Sequence, residues 1–201
     1  ATSGPGGMNF VTSVGHCFYA SVPCLFITGQ IKTKYMRPDE SIRQIGFQET
    51  DIVSIVKPLA KYAKLVADPN SIKYELQKAI YLAKNGRPGP VFLDIPIDVQ
   101  QAEVSPDELI GFDEELQEVC YNTKRIEQQI DSFIEDLLKS KRPCLMVGGG
   151  VRLADAEKEI LELGRILKAP CFPTWNALDI IASDFEYYGG RIGTYGGAGR
   201  N

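Results

Sequence analysis

Few residues in this chain are equipped for proton-transfer or ligand chemistry. His16 is the sole histidine. That excludes any site built on two histidine ligands and disfavours a Ser-His-Asp hydrolase. Beside Cys17 and Phe18 on a helical stretch, it reads as a packing residue rather than a base. Cys17, Cys24, Cys120, Cys144 and Cys171 are odd in number and lack Cys-x-x-Cys spacing, so they read as buried, reduced thiols. What remains is backbone and amide chemistry. Thr2-Ser3-Gly4-Pro5-Gly6 enters a helix, where glycines either aim backbone amides at an anion or cofactor edge or simply permit tight packing. Gly148, Gly149 and Gly150 repeat the arrangement between an apolar strand and a helix. Position 153 is Leu and no acid closes the next strand, so this is not a dinucleotide fingerprint; a pyrophosphate loop and a structural turn both fit. Gln48, in Phe47-Gln48-Glu49, is a neutral donor and acceptor suited to orienting a carbonyl rather than moving a proton. Glu49 would sit at a helix start and complement its dipole. Arg87, within Asn85-Gly-Arg-Pro-Gly-Pro90, either meets a phosphate or caps the preceding helix.

The elements that must position these residues alternate in type. Met8–Ala20 has helical spacing, with Phe10, Val14 and Phe18 four apart. Pro23–Thr28 is a short apolar strand closed by Gly29. Residues 31–46 are a polar loop, and 51–57 a short helix stopped by Pro58. Tyr62–Val66 is a second strand. Ser71 is a helix N-cap for Ile72–Lys84, which Asn85-Gly86 ends through a left-handed cap. Pro90–Ile95 is a third strand. After an acidic stretch over 98–122, read as a linker, the order repeats: helix 126–138, strand 143–147, helix 154–167, strand 170–174. Continuous apolar strands between helices predict parallel sheets buried on both faces. The fold class is therefore α/β, with parallel sheets flanked by helices in parts of two consecutive three-layer α/β/α domains. Ligands are expected at the carboxyl ends of the strands, in the loops 3–7, 29–48, 95–98, 147–152 and 174–179.

Composition agrees with a folded domain pair. The 201 residues amount to between one and two domains at about 150 residues each, with 44% hydrophobic and 24% charged residues. The 22 basic against 26 acidic side chains leave a net charge of −4, which argues against nucleic acid as a partner. No apolar run reaches the roughly 18 residues of a membrane span. No signal peptide opens the sequence, so a cytoplasmic location is expected. Lys32, Lys34, Arg37 and Arg43 outnumber Asp39 and Glu40 in the polar loop. That loop is either a solvated excursion or an entrance for a larger anionic acceptor.

Taken together and in order, TSGPGGMN (2–9), SVPCLFITGQ (21–30), FQETDIV (47–53), KYAKLV (61–66), NGRPGPVFLDIPIDVQ (85–100) and PCLMVGGG (143–150) resemble thiamine-diphosphate-dependent enzymes of the acetolactate synthase type. The resemblance implies that residues 1–100 are the C-terminal part of the pyrimidine-binding domain, 101–122 a linker and 123–201 the N-terminal part of a central, FAD- or nucleotide-binding-like domain. It implies decarboxylation of a 2-oxo acid such as pyruvate and transfer of the acyl unit to a second carbonyl. The partners are then small molecules, and the assembly a homodimer or homotetramer. Phe47 and Gln48 match a Phe-Gln pair facing cofactor and substrate. Gly148, Gly149, Gly150 and Arg87 match positions that contact FAD where flavin is present. Thiamine diphosphate and Mg²⁺ are implied for the intact enzyme, with FAD an optional further cofactor.

The family's catalytic glutamate precedes the TSGPG block, and its Mg²⁺-diphosphate motif lies in a third domain. The expectation is therefore a fragment, inactive alone. Ile97 stands where acetolactate-forming members usually carry lysine, which argues against pyruvate as both donor and acceptor. Two alternatives remain: a non-catalytic nucleotide-binding or assembly module, and a 2-oxo acid decarboxylase or lyase of the same superfamily.

Overall fold

A computed structural model describes residues 1–39, 41–115 and 122–193. The chain divides into two compact units, residues 1–120 and 121–201.

The first unit is organised by a three-stranded parallel sheet. Helices α1 (Pro5–Met8) and α2 (Phe10–Ala20) precede strand β1 (Cys24–Gln30). Helix α3 (Ile52–Val56), strand β2 (Tyr62–Leu65), helix α4 (Ile72–Lys84), strand β3 (Pro90–Pro96) and the short helix α5 (Ile97–Gln100) follow. The strand order is β1-β3-β2. Strand β3 is central, and Val91, Phe92, Leu93 and Asp94 on it are almost wholly buried. Alternation splits these residues between two faces. Phe92 joins Phe26, Val14, Ile52 and Val56 beneath α2 and α3, and its ring stacks on Phe26 at 6.2 Å. Val91 and Leu93 join Val66, Ala79 and Ala83 beneath α4. Each such large side chain contributes about 1.5–3 kcal/mol by leaving water, so β3 anchors both layers.

Several boundaries differ from the sequence reading. Strand β1 does not stop at Gly29; it runs to Gln30, pairing Gly29 with Ile95 and Gln30 with Pro96. Asn9 separates α1 from α2, so the first helix is two pieces. Ser71 has helical angles and no side-chain cap bond. Asp68 starts the turn instead, accepting from the Asn70 amide at 2.9 Å. At the far end of α4, Asn85 is extended and Gly86 takes the left-handed conformation at φ 63°. Residues 105–112 lie on the surface of α4, where the Phe112 ring meets Tyr74 and Tyr81 edge-on or tilted at about 5.5 Å. Part of the acidic stretch, residues 116–121, falls outside the described residues.

The second unit holds helix α6 (Thr123–Lys139), strand β4 (Leu145–Val147), helix α7 (Gly150–Leu153), helix α8 (Glu157–Leu167) and strand β5 (Cys171–Pro173). Asn122 caps α6 by accepting from the Arg125 amide at 3.0 Å. Strands β4 and β5 pair in parallel. Val147, Cys171, Ala177, Ile180 and Ile181 form the core. The helix expected over 154–167 starts later, at Glu157, because Asp155 has φ 51°; a separate short helix, α7, precedes it. The thiols were expected to be buried. Among the described residues only Cys171 is; Cys17 and Cys24 are partly exposed and Cys144 is exposed, all free, while Cys120 lies outside the described residues. His16 lies exposed on α2 rather than packed.

Candidate functional site

The carboxyl end of β1 and β3 is tied together by a buried polar network. Asp94, 2% exposed, accepts from the Thr28 hydroxyl at 2.7 Å and from Gln30 Nε2 at 2.9 Å. Burial pushes its carboxyl above the ordinary value, against those two hydrogen bonds. Gln30 spends its remaining capacity on the backbone: Nε2 also donates to the Thr50 carbonyl at 2.8 Å, and Oε1 accepts from the Ile31 amide at 3.0 Å. The network thus fixes where the polar loop leaves the sheet and where it returns. Asp98, at the start of α5, accepts from both the Thr33 amide at 3.1 Å and the Thr33 hydroxyl at 2.6 Å. This holds the third loop against the second.

The loop's return carries Phe47 and Gln48. Gln48 has φ 59°, a left-handed conformation that costs a non-glycine residue about 1–2 kcal/mol. Phe47 is 83% exposed and Gln48 is also exposed. The Glu49 amide closes this turn on the Gly46 carbonyl at 3.2 Å, and two further supports hold it in place. Glu49 accepts the amides of Arg37 at 2.5 Å, Ile45 at 2.9 Å and Gly46 at 3.4 Å. Burial raises its carboxyl, but these bonds and the Arg37 charge outweigh it and leave the group below its ordinary value. On the other side, Gly4 (φ 60°, ψ −128°) packs so closely that a Cβ there would fall 2.7 Å from the Gln48 carbonyl oxygen and 2.8 Å from its Cβ. Asp51, not Glu49, caps α3, accepting from the Ser54 amide at 3.1 Å.

The three loops expected at the carboxyl end of this sheet therefore meet: 3–7 through Gly4, 29–48 through Gln48, and 95–98 through Asp98. Ile97, about one-third exposed, opens onto the same end with Thr2, Ser3 and Gln30, around a cavity of about 670 Å³. Arg37 is not available as a free cation: its guanidinium donates to the Ile42 carbonyl at 3.3 Å and lies 4.0 Å from Asp51. Arg43 remains exposed.

Arg87 lies elsewhere. Its Nε donates at 2.8 Å to the hydroxyl of Ser21, the left-handed C-cap of α2. It precedes β3 and so stands at the amino edge of the sheet, opposite Gln48. This clasp is on a helix other than the one preceding Arg87, so the expected cap on α4 is replaced by one on α2.

In the second unit, Gly148–Gly150 form the turn between β4 and α7. Gly149 is tightly packed: a Cβ there would stand 3.2 Å from that of Asn176, which would have to give by a few tenths of an ångström. Nothing lies within 4 Å of a Cβ on Gly150. The turn is fastened to the next strand end: the Thr174 amide donates to Val147 at 2.8 Å, and Arg152 reaches the Asn176 carbonyl at 3.2 Å and the Asp179 carboxylate. A tight glycine against Asn176 and open space over its neighbour suit a bulky group laid across the turn. Among the described residues, no cluster of three or more His, Cys, Asp or Glu could hold a metal ion.

Sequence comparison matches a family model within each of the two units. Residues 1–55 match the thiamine pyrophosphate enzyme N-terminal TPP binding domain, and residues 130–201 match the thiamine pyrophosphate enzyme central domain. The chain belongs to the thiamine pyrophosphate enzymes. It is 34% identical over 194 residues to a glyoxylate carboligase of Escherichia coli O157:H7, covering 96% of this chain and 31% of that protein. It is 36% identical over 199 residues to the acetolactate synthase large subunit of Corynebacterium glutamicum, covering 98% and 30%. The acetolactate synthase large subunit of Cyanidium caldarium is 34% identical over 203 residues, covering 100% and 34%. The chain spans about a third of the length of these curated relatives.

Proposed function

We propose that this chain is the substrate-facing part of a thiamine-diphosphate-dependent carboligase, which decarboxylates a 2-oxo acid and joins the acyl unit to a second carbonyl. The observation that carries this reading is the meeting of Gly4 with Gln48 at the carboxyl end of the sheet. There an exposed neutral amide and the exposed Phe47 ring present themselves beside the glycine turn. Relatives named acetolactate synthase and glyoxylate carboligase both perform such joining reactions by name.

Thiamine diphosphate, when bound, supplies the electron sink for loss of CO₂. The residues of this chain orient and exclude water. Gln48 donates from its amide to the acceptor carbonyl oxygen, where negative charge grows as the new bond forms; Phe47 covers the pocket. Neither residue needs to ionise, so the site orients its substrate by geometry rather than by titration. Ile97 gives the open end an apolar rim, in keeping with an acceptor other than pyruvate.

Residues 1–100 and 123–201 serve in this reading as parts of the pyrimidine-binding and central domains, joined by 101–122. The Gly148–Gly150 turn would take the pyrophosphate of FAD, whose role is structural because carboligation involves no net redox change. Arg87 would meet flavin with its terminal guanidinium nitrogens, Nε staying on Ser21. Mg²⁺ belongs with a diphosphate-binding segment beyond the described residues. The intact enzyme is a homodimer or homotetramer, and the free thiols suit a reducing compartment such as the cytoplasm. Among the described residues no helix is long and apolar enough to cross a membrane.

The test uses the full-length protein with pyruvate, and separately glyoxylate, as donor. Gln48→Ala should lower the rate of ligated product about 10²–10³-fold, the loss typical of removing one donor to a developing oxyanion. An unchanged rate and product ratio would falsify the assignment.

A further inference from the structure

Glu49 was expected only to complement a helix dipole, yet Asp51 caps that helix and the Glu49 carboxylate turns the other way, into the loop. It gathers three backbone amides that are far apart along the chain: Arg37, twelve residues back, and Ile45 and Gly46 just before the Phe47-Gln48 turn. One oxygen holds the start of this segment and the other its end. The residue after it, Thr50, is pinned through its carbonyl by buried Gln30. Gln48 lies between these two fixed points in a left-handed conformation and has Gly4 against its backbone. A strained backbone position persists only where its surroundings over-determine it. Within the loop, the Glu49 amide closes the turn on the Gly46 carbonyl at 3.2 Å, and the Glu49 carboxylate adds the tie from that turn back to Arg37.

We propose that Glu49 is a positioning residue: its carboxylate latches the Arg37, Ile45 and Gly46 amides together and so sets the direction in which Gln48 presents its amide to the acceptor carbonyl. The proposal rests on the reading of Gln48 given above. Glu49 itself touches no substrate. Its effect is on where the acyl unit goes, to acceptor or to water, and not on how fast CO₂ leaves.

The latch and its consequence can be read separately in the full-length enzyme. Arg43 is an exposed trypsin site between the latched amides of Arg37 and Ile45. Without substrate, Glu49→Ala should raise cleavage there about tenfold or more, since it removes three bonds to a charged acceptor. Glu49→Gln, which keeps one oxygen and turns an amide toward the Ile45 and Gly46 N–H groups, should fall between it and the parent. With pyruvate or glyoxylate as donor, the ratio of ligated product to released aldehyde should drop about tenfold in Glu49→Ala and less in Glu49→Gln. A merely structural loss lowers the amount of active enzyme and leaves that ratio untouched.

Cleavage equal to the parent's overturns the latch. Faster cleavage with an unchanged ratio, while Gln48→Ala shifts it, overturns the positioning role alone. A parental ratio in Gln48→Ala overturns the reading of Gln48 and the positioning role with it.

Discussion

Gly4→Ala is the sharpest perturbation available, because its cost divides into two parts that a second glycine separates. At φ 60° and ψ −128°, Gly4 occupies a region that residues with a Cβ rarely adopt. That strain alone amounts to about 1–3 kcal/mol. The added methyl would also stand 2.7 Å from the Gln48 carbonyl oxygen and 2.8 Å from Gln48 Cβ, well inside ordinary contact. Gln48 must then shift by several tenths of an ångström, against both the Glu49 latch and the Gln30 bond to Thr50. Overpacking of this kind costs about 1–3 kcal/mol. Gly86 supplies the comparison: φ is 63° and nothing lies within 4 Å of its would-be Cβ. Gly86→Ala should therefore show backbone strain only, about 1–2 kcal/mol.

Urea denaturation of the full-length protein, with midpoints compared at constant m, measures both. Gly4→Ala should be the more destabilised by at least the overpacking share of its cost, about 1–3 kcal/mol. It should also lose ligated product relative to released aldehyde, because Gln48 is what moves. Equal destabilisation of the two variants, or a Gly4→Ala enzyme with the parent's product ratio, would refute the contact as the organiser of the site.

The buried network and the latch yield two further expectations. Asp94→Asn turns an amide N–H₂ toward Gln30 Nε2 or the Thr28 hydroxyl, and Gln30 cannot flip without losing Ile31 and Thr50. A loss of about 1.5–3 kcal/mol in urea melts is expected, and a loss under about 0.5 kcal/mol would show that the network carries no strain-free alternative penalty. Glu49 has a folded-state value below its ordinary 4.5, so its stabilising effect is present above about pH 4.5 and is lost as pH falls through the folded value. Hydrogen-exchange protection of the Ile45 and Gly46 amides, corrected for intrinsic rates, should fall over that acid range in the parent and be low and flat in Glu49→Gln. Asp94 has the opposite sign, its raised carboxyl giving stability that declines as pH rises through its window.

Much of the scaffold was legible because local chemistry dictates it. Helix α4 begins and ends where Ile72 and Lys84 were read, since its apolar residues recur at helical spacing and Gly86 follows. Strand β3 is a run with no polar side chain except Asp94, which only a central, doubly covered parallel strand accommodates. Boundaries failed where a local signal had a tertiary competitor. Gly29 looked like a strand terminator, but pairing with Ile95 carries β1 one residue past it. Ser71 looked like a cap, but Asp68 reached the first free amide sooner.

The residue types of the candidate site followed from sequence alone: an amide at Gln48, glycines at 4 and 148–150, no base within reach. Their order along the chain also determined the family resemblance. Partnership was a different matter. That Glu49 binds amides twelve and four residues back was decided by how the loop folds on itself; that Gly4 touches Gln48, that Gln30 reaches Asp94, and that Arg87 clasps Ser21 at the far edge were decided by the parallel crossover. Bringing β1 and β3 side by side places residues some forty to seventy positions apart at hydrogen-bond distance. Spacing along one chain encodes periodicity within an element; it carries no measure of the gap between the ends of two strands.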